Sequence, residues 1–586
     1  MLPLLIKYAE DHGLKPEAGF TSKEVRWAIV CDDRAKFLDV IELGDSEQRR
    51  NRGQRFDKCP ELSFSDLKSG GETKCHFLIE TAEVVALYGD KAGEEKPRAK
   101  HAYFVNLLRQ AAGAMPELGA AADCLDDAPS LAAIAQRLAA HRAKPTDKVT
   151  LRLGACYPVE SKAWHDWWRA FRNQLSPPGA TKGTAGSTSD MRCLATGRVV
   201  APLTVSPKIS GLSDVGGLAT GDALASYKQD SFCSYGLEQA ANAAVSEEAA
   251  YACRDALNHL IRETGQRLAG AKVVHWFKEK VDPEDDPLSF LKESAEQEER
   301  NAQQRARELL ESIRTGKKAN LAGNYYYALT LSGASGRVMV RDWMEGRFEE
   351  LAANIAAWFD DLAIVRRDGA ALAPPPKFLA VLGATVRELD DLSPPFTAKM
   401  WRVAVSCLPI PEQALVQALS RAKLDFLADE SPNHARMGLL KAYHIRKGDT
   451  HMTAYLNEDH PDPAYHCGRL MAVLADLQYK AQGDVGAGVI QRYYAAASST
   501  PAVVLGRLVR LSQYHLGKLG GGFAHVYQMQ YVAPIWSCIK DSLPSSLTPQ
   551  RQSLFALGYY HQMAQMATDR ARKSDNTGNA KETTNG

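Results

Sequence analysis

One helical pattern after another fills the chain after Phe348, and this limits the C-terminal part to an all-α arrangement. Apolar residues recur there at three- and four-residue spacings, the period that places them on one face of an α-helix. Prolines at 374–376 and 394–395 interrupt the run. The pattern predicts helices at 348–364, 376–389, 397–408, 411–428, 437–446, 464–482, 487–497, 501–519 and 524–543, and another that begins at Thr548-Pro549. The polar residues 572–586 are predicted to fray.

The first 345 residues mix strand and helix patterns. A short amphipathic helix is predicted at 2–10, before two strands, VRWAIVCD and KFLDVIEL, that form a hairpin at Asp32-Asp33. A second hairpin is predicted around 332–336. The segment 44–74 is rich in Arg, Gly, Ser and Lys and is predicted to be a long exposed loop. Further helices are predicted at 80–88, 100–112, 131–141, 163–175 and 246–268, and a strand at 148–153.

These patterns predict an α+β fold: a mixed α/β N-terminal domain with antiparallel hairpins, followed by an all-α C-terminal region that ends in a helical bundle. A single hydrophobic core stops growing near roughly 250–300 residues, so a chain of 586 residues is expected to divide. We expect a mixed domain at 1–345, a helical connecting region at 346–463 and a bundle at 464–586.

Composition narrows the class of protein further. The chain is 45% hydrophobic and 24% charged, as in an average globular protein, which excludes wholesale disorder. No run approaches the roughly 20 apolar residues of a membrane-spanning helix, and Lys7, Glu10 and Asp11 interrupt the N-terminus too early for a signal peptide. The eleven cysteines include no C-x2-C pair, which argues against a cysteine zinc site or a disulfide framework. The sequence predicts a cytoplasmic protein without a membrane partner.

Charge is distributed unevenly along the chain, although the net charge is only +1. Residues 49–58, RRNRGQRFDK, carry a net charge of +4, residues 281–300 carry −6, and residues 466–586 carry +6. In the first window Arg49, Arg50, Arg52 and Arg55 alternate with Asn51 and Gln54. Arginine donates two hydrogen bonds to phosphate or guanine, and amide side chains can read base edges. The window therefore indicates either a nucleic-acid contact or a solvated charged loop.

The predicted helix at 501–519 has two different faces. Arg507, Arg510, Tyr514 and Lys518 follow each other at i, i+3, i+7 and i+11, and Leu505, Leu508, Leu516 and Leu519 fall on the other side. One side is expected to pack and the other to remain basic. Together with the charge of the C-terminal block, this predicts a surface that follows a polyanion through its phosphates.

Catalytic spacings are absent from the sequence, so we predict no catalytic residue, no metal and no cofactor. The glycines from Gly211 to Gly221 lack the Gly-Lys-Ser/Thr ending of a P-loop, and neither G-x-S-x-G nor H-E-x-x-H occurs. His165-Asp166 lies inside a helix whose Trp164, Trp167, Trp168 and Phe171 share one face, for which packing is favoured over ligand stacking. For His460, His466 and Cys467, close together around a proline, a structural role is favoured over a metal site.

Three stretches carry a resemblance to a known family. They are FTSKEVRWAIVCDDRAKFLDVIEL near the start, the segment from CLATGRVV to RDALNHLI in the middle, and AYHCGRLMAVLADLQYKAQG from Ala464. The runs SYGLEQ and AVSE in the middle stretch are the most specific. In their order, these segments resemble the large subunit of the type I-C CRISPR Cascade, an RNA-guided surveillance complex. The family motif His-Pro-Lys-Ile-Lys-Gly reads Ser206-Pro-Lys-Ile-Ser-Gly211 here, without the second lysine.

The resemblance implies a non-catalytic subunit that recognises the protospacer-adjacent motif on duplex DNA, assists strand separation and R-loop stabilisation, and helps recruit a helicase-nuclease. It implies these partners: the guide RNA, target double-stranded DNA and its displaced strand, the backbone, 5′-end and small subunits of the complex, and the helicase-nuclease. Relatives also make the C-terminal bundle separately from an internal start, for which Met437, Met452 or a codon near Ala464 are the possible positions here.

The resemblance and the charge pattern together give three hypothetical contact regions. The loop residues Arg49, Arg50, Asn51, Arg52, Gln54 and Arg55, with Lys68 and Lys74, are expected to meet the adjacent-motif duplex or the guide-RNA 5′ end. Lys208, Gly216, Gly217, Lys228 and Gln229 are expected to allow close backbone approach or strand wedging, since glycine lacks a Cβ. Arg492, Arg507, Arg510 and Lys518 are expected to hold the displaced strand. The alternatives are a metal-dependent nuclease of a CRISPR system and a purely structural scaffold.

Overall fold

The computed structural model describes residues 1–14, 17–44, 53–62, 66–67, 73–175, 191–200, 202–203, 205–227, 229–232, 242–292, 299–315, 317–427 and 433–582. The chain forms two compact units. Unit 1 comprises Met1–Ser213, Gly217–Arg262 and Gly333–Val338, and unit 2 comprises Asp214–Gly216, Glu263–Ser332 and Met339–Gly586. The α+β prediction is confirmed, since sheets and helices alternate up to Phe348 and only helices follow. Every helix in the described part of the chain is too short or too polar to cross a lipid bilayer.

Unit 1 contains ten short strands and seven helices within its described residues. In chain order they are α1 (Leu2–Asp11), β1 (Phe20–Val25), β2 (Trp27–Cys31), β3 (Phe37–Glu42), β4 (Gln54–Pro60), β5 (Glu80–Thr81), α2 (Ala82–Val85), α3 (Glu95–Ala111), α4 (Glu117–Asp126), α5 (Ala128–Ala140), β6 (Lys148–Leu153), α6 (His165–Leu175), β7 (Met191–Arg192), β8 (Val199–Val200), β9 (Lys208–Ile209), β10 (Asp222–Ala223) and α7 (Glu247–Glu263). The predicted N-terminal helix and the first hairpin are confirmed.

The principal sheet of unit 1 has the strand order β3-β2-β6-β5. β2 pairs antiparallel with β3, as the hairpin prediction requires, and Trp27 lies opposite Glu42. On its other side β2 pairs in parallel with β6, with Trp27 opposite Val149. This parallel pairing was not predicted, because it joins strands separated by more than a hundred residues, including α3, α4 and α5. A separate antiparallel pair joins β1 and β4.

Trp168 of α6 and Trp164 just before it pack into the core of unit 1, which confirms the packing interpretation. Trp164 and Trp168 are fully buried, and both rings pack against Phe77. Their indole N–H groups donate to the carbonyls of Pro158 and Gly19 at 2.9 and 2.8 Å. Both buried indole N–H groups therefore have a partner, as burial of a tryptophan requires.

Two sequence-based predictions for unit 1 are wrong. The segment 44–74 contains strand β4, which the exposed-loop prediction missed because a register shift against β1 and a positive φ at Lys58 break the period of two. Its apolar residues Phe56 and Cys59, both buried, are consequently three positions apart instead of two. The predicted helix at 80–88 is reduced to α2, after the two-residue strand β5. Helix α4 was not predicted.

Unit 2 contains an antiparallel hairpin sheet followed by helices. In chain order the elements are β11 (Gln266–Leu268), β12 (Ala271–Phe277), α8 (Pro287–Lys292), α9 (Glu299–Arg314), β13 (Tyr325–Ala334), β14 (Arg337–Arg347), α10 (Phe348–Leu362), α11 (Phe378–Gly383), α12 (Pro394–Val405), α13 (Glu412–Leu427), α14 (His434–Arg446), α15 (Pro463–Gln482), α16 (Val489–Ala497), α17 (Pro501–Leu519), α18 (Gly521–Val526), a π-helical segment (Tyr527–Val532), α19 (Ala533–Ile539) and α20 (Pro549–Glu582). The hairpin of β13 and β14 was predicted, and it turns at Ser335-Gly336, both with positive φ.

Helices α15 and α20 form the centre of the C-terminal bundle and approach each other closely through glycine. A Cβ on Gly468 of α15 would lie 2.8 Å from the amide nitrogen of Tyr559 and closer still to the Phe555 carbonyl oxygen. A Cβ on Gly558 of α20 would lie 2.8 Å from the Tyr465 carbonyl carbon. The two glycines therefore let the helix backbones touch, and α15 is buried along most of its length.

Four predictions for the helices also need correction. The helix predicted at 246–268 ends at Glu263, and residues 266–268 return as strand β11. The helix predicted at 524–543 contains the π-helical segment just before Pro534, which cannot donate the next backbone hydrogen bond. The polar C-terminus, predicted to fray, continues α20 to Glu582. The helix predicted at 376–389 is shortened to α11.

Candidate nucleic-acid interface

The basic face of α17 lies on the surface of unit 2, as predicted. Arg507, Arg510, Tyr514 and Lys518 are all exposed. The opposite face of the helix packs through Val504, Leu505, Leu508 and Leu516, which are buried. This amphipathic division follows from the sequence, because the apolar residues recur at helical spacing. The helix starts at Pro501, whose fixed φ suits the first helical position.

Acidic side chains are missing around this face over a long stretch of sequence. Val485–Lys540 contains no Asp or Glu in 56 residues, although acidic residues make up 70 of the 586. The stretch includes α16, α17, α18, the π-helical segment and α19, and it carries the cations Arg492, Arg507, Arg510, Lys518 and Lys540. An exposed cationic surface without carboxylates attracts phosphate backbones. This signal was available in the sequence but did not enter the predictions.

The four predicted cations of the bundle have no ion-pair partner among the described residues. Arg492 is exposed on α16, and no described carboxylate lies within 4.0 Å of its guanidinium or of the charged groups of Arg507, Arg510 and Lys518. Some exposed arginines of unit 2 are paired instead: Arg366 pairs with Asp368 at 2.7 Å, and Arg570 pairs with Asp476 at 2.9 Å. The cations of α16 and α17 are therefore available for an external anion.

The described end of the basic loop in unit 1 is more constrained. Arg55 of β4 is exposed, but its guanidinium donates to Asp57 at 3.1 Å and to the Ser22 hydroxyl at 3.0 Å. Lys58 donates to Glu17 at 3.2 Å. Gln54 is half-buried and lies opposite Val25 in the β1–β4 pair. The charges at this end of the loop are therefore largely neutralised within the fold.

A cleft of about 590 Å³ opens beside this end of β4 in unit 1. Its lining includes Arg55 and Lys58 on one side and Asn258, His259 and Arg262 of α7 on the other. The carboxylates of Glu17, Asp57 and Asp255 also line it, so the cleft brings together polar groups and charges of both signs that are up to about two hundred residues apart in the sequence. None of the α7 residues entered the predicted contact regions, because no local pattern distinguishes them from an ordinary polar helix face.

Hydrogen bonds and charge fix both walls of this cleft. Glu17 accepts from Arg169 at 2.6 Å, and this hydrogen bond, with a second from Lys58, holds the pKa of Glu17 below its usual value. On the α7 side, the buried Arg254 donates to Glu61 at 2.6 Å and to the Phe20 carbonyl at 2.9 Å. These bonds attach α7 to the β1–β4 pair and so set the width of the cleft.

The glycine-rich segment of unit 1 also approaches α7. Lys208 is exposed on β9, opposite Ala223 of β10, and the backbone N–H of Ser210 donates to Asn258 at 2.8 Å. Because Asn258 also lines the cleft, the segment that holds Lys208 and the basic end of β4 are organised around one helix. The sequence predicted these as two regions without predicting that α7 relates them.

The glycines of this segment serve the local backbone. Gly216 is exposed with a φ of 89°, and Gly217 is half-buried. A Cβ on Gly217 would collide with the carboxylate of Asp222 and lie 2.8 Å from the Leu212 carbonyl. Asp222 is fully buried and accepts the N–H of Leu218 at 3.2 Å. At Gly217, therefore, the close approach that glycine permits is to the protein's own turn.

The remaining predicted contact residues differ in how the structure places them. Gln229 is exposed next to a short 3₁₀ turn. Lys74 is 7% exposed, so it is buried although the sequence placed it in an exposed loop. The other predicted residues lie outside the described part of the chain, and these are Arg49, Arg50, Asn51, Arg52, Lys68 and Lys228.

The histidines near Pro463 make contacts within the fold. The ring of His460 stacks on Tyr465, and its Nδ1 accepts the N–H of Asp462 at 3.1 Å. His466 Nε2 donates to the His460 carbonyl at 2.6 Å, and Cys467 is fully buried. Within the described residues, no group of three His, Cys, Asp or Glu side chains has an arrangement that could hold a metal ion.

Comparison with protein families gives one match over nearly the whole chain. The family described as CRISPR-associated protein (Cas_Csd1) matches residues 5–567, which include both compact units. The comparison with curated proteins gave no match.

Proposed function

Because the chain belongs to the CRISPR-associated protein Csd1 family, we propose that it is the non-catalytic large subunit of a type I-C CRISPR surveillance complex. In this role it recognises the adjacent motif on duplex DNA, assists strand separation, stabilises the R-loop and helps recruit a helicase-nuclease. Base pairing between guide RNA and target reads the sequence, and the protein contributes contacts to the duplex and to the displaced strand. The backbone, 5′-end and small subunits of the complex are its protein partners.

The exposed cations of the C-terminal bundle carry this proposal. Arg507, Arg510 and Lys518 lie on one face of α17, and Arg492 lies on the neighbouring α16. All four lack an acidic partner among the described residues, and the surrounding 56-residue stretch has no carboxylate. Unpaired cations on a rigid helix bind a phosphate backbone without sequence preference, which is what a displaced strand of variable sequence requires.

Duplex recognition is assigned to the cleft of unit 1. Arg55 lines the cleft and offers a guanidinium that must leave Asp57 to bind another acceptor. Gln54, the preceding residue of β4, offers an amide for base edges. The loop residues Arg49, Arg50, Asn51 and Arg52 precede them in the chain. Lys208 adds a cation near α7, because Asn258 of α7 holds the segment that contains Lys208.

The test of the bundle uses the assembled complex on target DNA. The double variant Arg507→Ala/Arg510→Ala should shorten R-loop lifetime and reduce the slope of log affinity against log salt by about 0.7 for each lost phosphate contact to a single strand. Arg314→Ala/Lys317→Ala removes two exposed cations elsewhere in unit 2 and is the control, for which the slope should not change. An unchanged slope in the Arg507→Ala/Arg510→Ala variant would show that the bundle does not bind the DNA phosphates.

Two further measurements distinguish the proposed function from its alternatives, a nuclease and a scaffold. Metal-dependent cleavage of nucleic acid by the purified chain would favour a nuclease. Gel-shift measurements with duplexes that carry or lack the adjacent motif, on complexes with Gln54→Ala or Arg55→Ala, test recognition. If both variants and the parent complex bind the two duplexes equally, the chain acts as a scaffold and the proposed recognition is wrong.

A further inference from the structure

Tyr514 is the most exposed large hydrophobic side chain among the described residues, at 77%. Most of the apolar area of this ring is in contact with water. The ring therefore contributes little hydrophobic stabilisation to the fold of the chain itself. The ring belongs to α17, whose other face is packed, so no rotation of the helix would bury it. We therefore expect that a molecule other than this bundle buries the ring.

Cations lie on both sides of this ring along the helix. Arg510 precedes Tyr514 by four residues and Lys518 follows it by four, a spacing at which side chains on a helix are neighbours. Four residues correspond to about 6 Å along the helix axis in each direction. At 3.6 residues per turn, Val503, Arg507, Arg510, Tyr514 and Lys518 fall within roughly one quarter of the helix circumference. All five are exposed.

Apolar exposure continues into the elements that follow α17. Phe523 of α18 is 64% exposed and Met529 of the π-helical segment is 57% exposed. Both belong to the acid-free stretch Val485–Lys540. The stretch thus combines exposed rings with cations and contains no Asp or Glu, which matches a single-stranded nucleic acid with stacked bases better than a protein surface of mixed charge.

We propose that Tyr514 stacks on an unpaired base of a single strand while Arg510 and Lys518 bind the phosphates on either side. This inference rests on the proposed function of the bundle and adds a contact to bases that the charges alone do not provide. Stacking accepts any base because every base has a π-face, so the contact suits a strand of arbitrary sequence. Phe523 is the second ring available for the same role.

Two kinds of variant of the full-length chain separate stacking from charge. The measurement is fluorescence anisotropy of a labelled thirty-nucleotide oligo-dT over a range of salt concentrations. Tyr514→Ala should weaken binding roughly five- to 150-fold, the effect of losing one stacked base, with an unchanged salt slope. Tyr514→Phe should bind like the parent because it keeps the ring. Tyr455→Ala removes a tyrosine that is 50% exposed outside the acid-free stretch and should also bind like the parent.

The failures of the two proposals are distinguishable. If Arg507→Ala/Arg510→Ala reduces the salt slope but Tyr514→Ala binds as tightly as the parent, the stacking inference is wrong and the phosphate contacts stand. If the parent chain does not bind oligo-dT at low salt, both are wrong. A photo-crosslink from 5-bromodeoxyuridine to Tyr514 would support stacking directly. If Tyr514→Ala binds oligo-dT normally but no longer assembles into the complex, the ring contacts a protein partner and the stacking inference is wrong.

Discussion

Replacing Gly468 by alanine should destabilise unit 2 through the contact of α15 with α20. The added Cβ would lie 2.8 Å from the Tyr559 amide nitrogen and even nearer to the Phe555 carbonyl oxygen, so it meets backbone and not a flexible side chain. A side chain can change rotamer to admit a methyl group, but a helix backbone has to move as a whole. The two helices must therefore separate along a buried interface that includes Tyr465, fully enclosed between them.

The expected cost follows from three contributions. Inserting a methyl group into a packed interface costs about 1–3 kcal/mol. Separating the helices by a fraction of an ångström also forfeits about a quarter of the dispersion energy at neighbouring contacts, which is about 2 kcal/mol for one buried side chain with roughly 50 contacts of about 0.15 kcal/mol each. Alanine returns about 1 kcal/mol of helix propensity relative to glycine. We therefore expect the free energy of unfolding to fall by about 2–4 kcal/mol, a large part of the 5–15 kcal/mol typical of a domain.

Urea unfolding of the full-length chain, followed by circular dichroism, measures the loss. Hydrogen exchange of peptides from α15 and α20 localises it, with protection reduced roughly 30- to 700-fold if exchange follows unfolding of the bundle. Gly506→Ala is the matched control, because Gly506 is exposed in the interior of α17 and a Cβ there meets nothing within 4 Å. This control should gain about 0.5–1 kcal/mol. If Gly468→Ala is as stable as Gly506→Ala, the inferred backbone contact is absent.

Three further changes test other parts of the fold. Burial lowers the pKa of His444 to about 4 and of His561 to about 3. The unfolded chain binds these protons more readily, so their contribution is complete above about pH 6.5, and these two histidines by themselves should lower stability by about 2–3 kcal/mol per pH unit between pH 5.5 and 4.5. His444→Gln should reduce that slope by about 1.4 kcal/mol per unit in urea titrations, and an unchanged slope would contradict the assignment. Arg254→Ala should cost unit 1 about 3 kcal/mol, because it leaves Glu61 and the Phe20 carbonyl without their buried donor, and Arg254→Lys should cost less in the same assay. Asn433→Ala removes the side-chain cap that accepts two backbone N–H groups of α14 and should lower unfolding free energy by about 1 kcal/mol, whereas no loss would show that water replaces the cap.

Local periodicity in the sequence was enough to predict several elements closely. Helix α17 was predicted at 501–519 and is Pro501–Leu519, and its basic face is exposed as expected. The first hairpin and the packing of Trp164 and Trp168 were predicted for the same reason. In each case, neighbouring residues along the chain determine which face is apolar, so no knowledge of distant segments is needed. The cations of the bundle were identified on this basis.

Features that depend on distant segments were decided only by the tertiary structure. The parallel pairing of β2 with β6, the cleft between β4 and α7, and the glycine contact between α15 and α20 each join parts of the chain separated by about ninety residues or more. Strand β4 was missed because its register shift is set by its partner β1. A sequence records which residues are apolar or charged at each position, but the energy of these pairings depends on distances that exist only once both partners are folded.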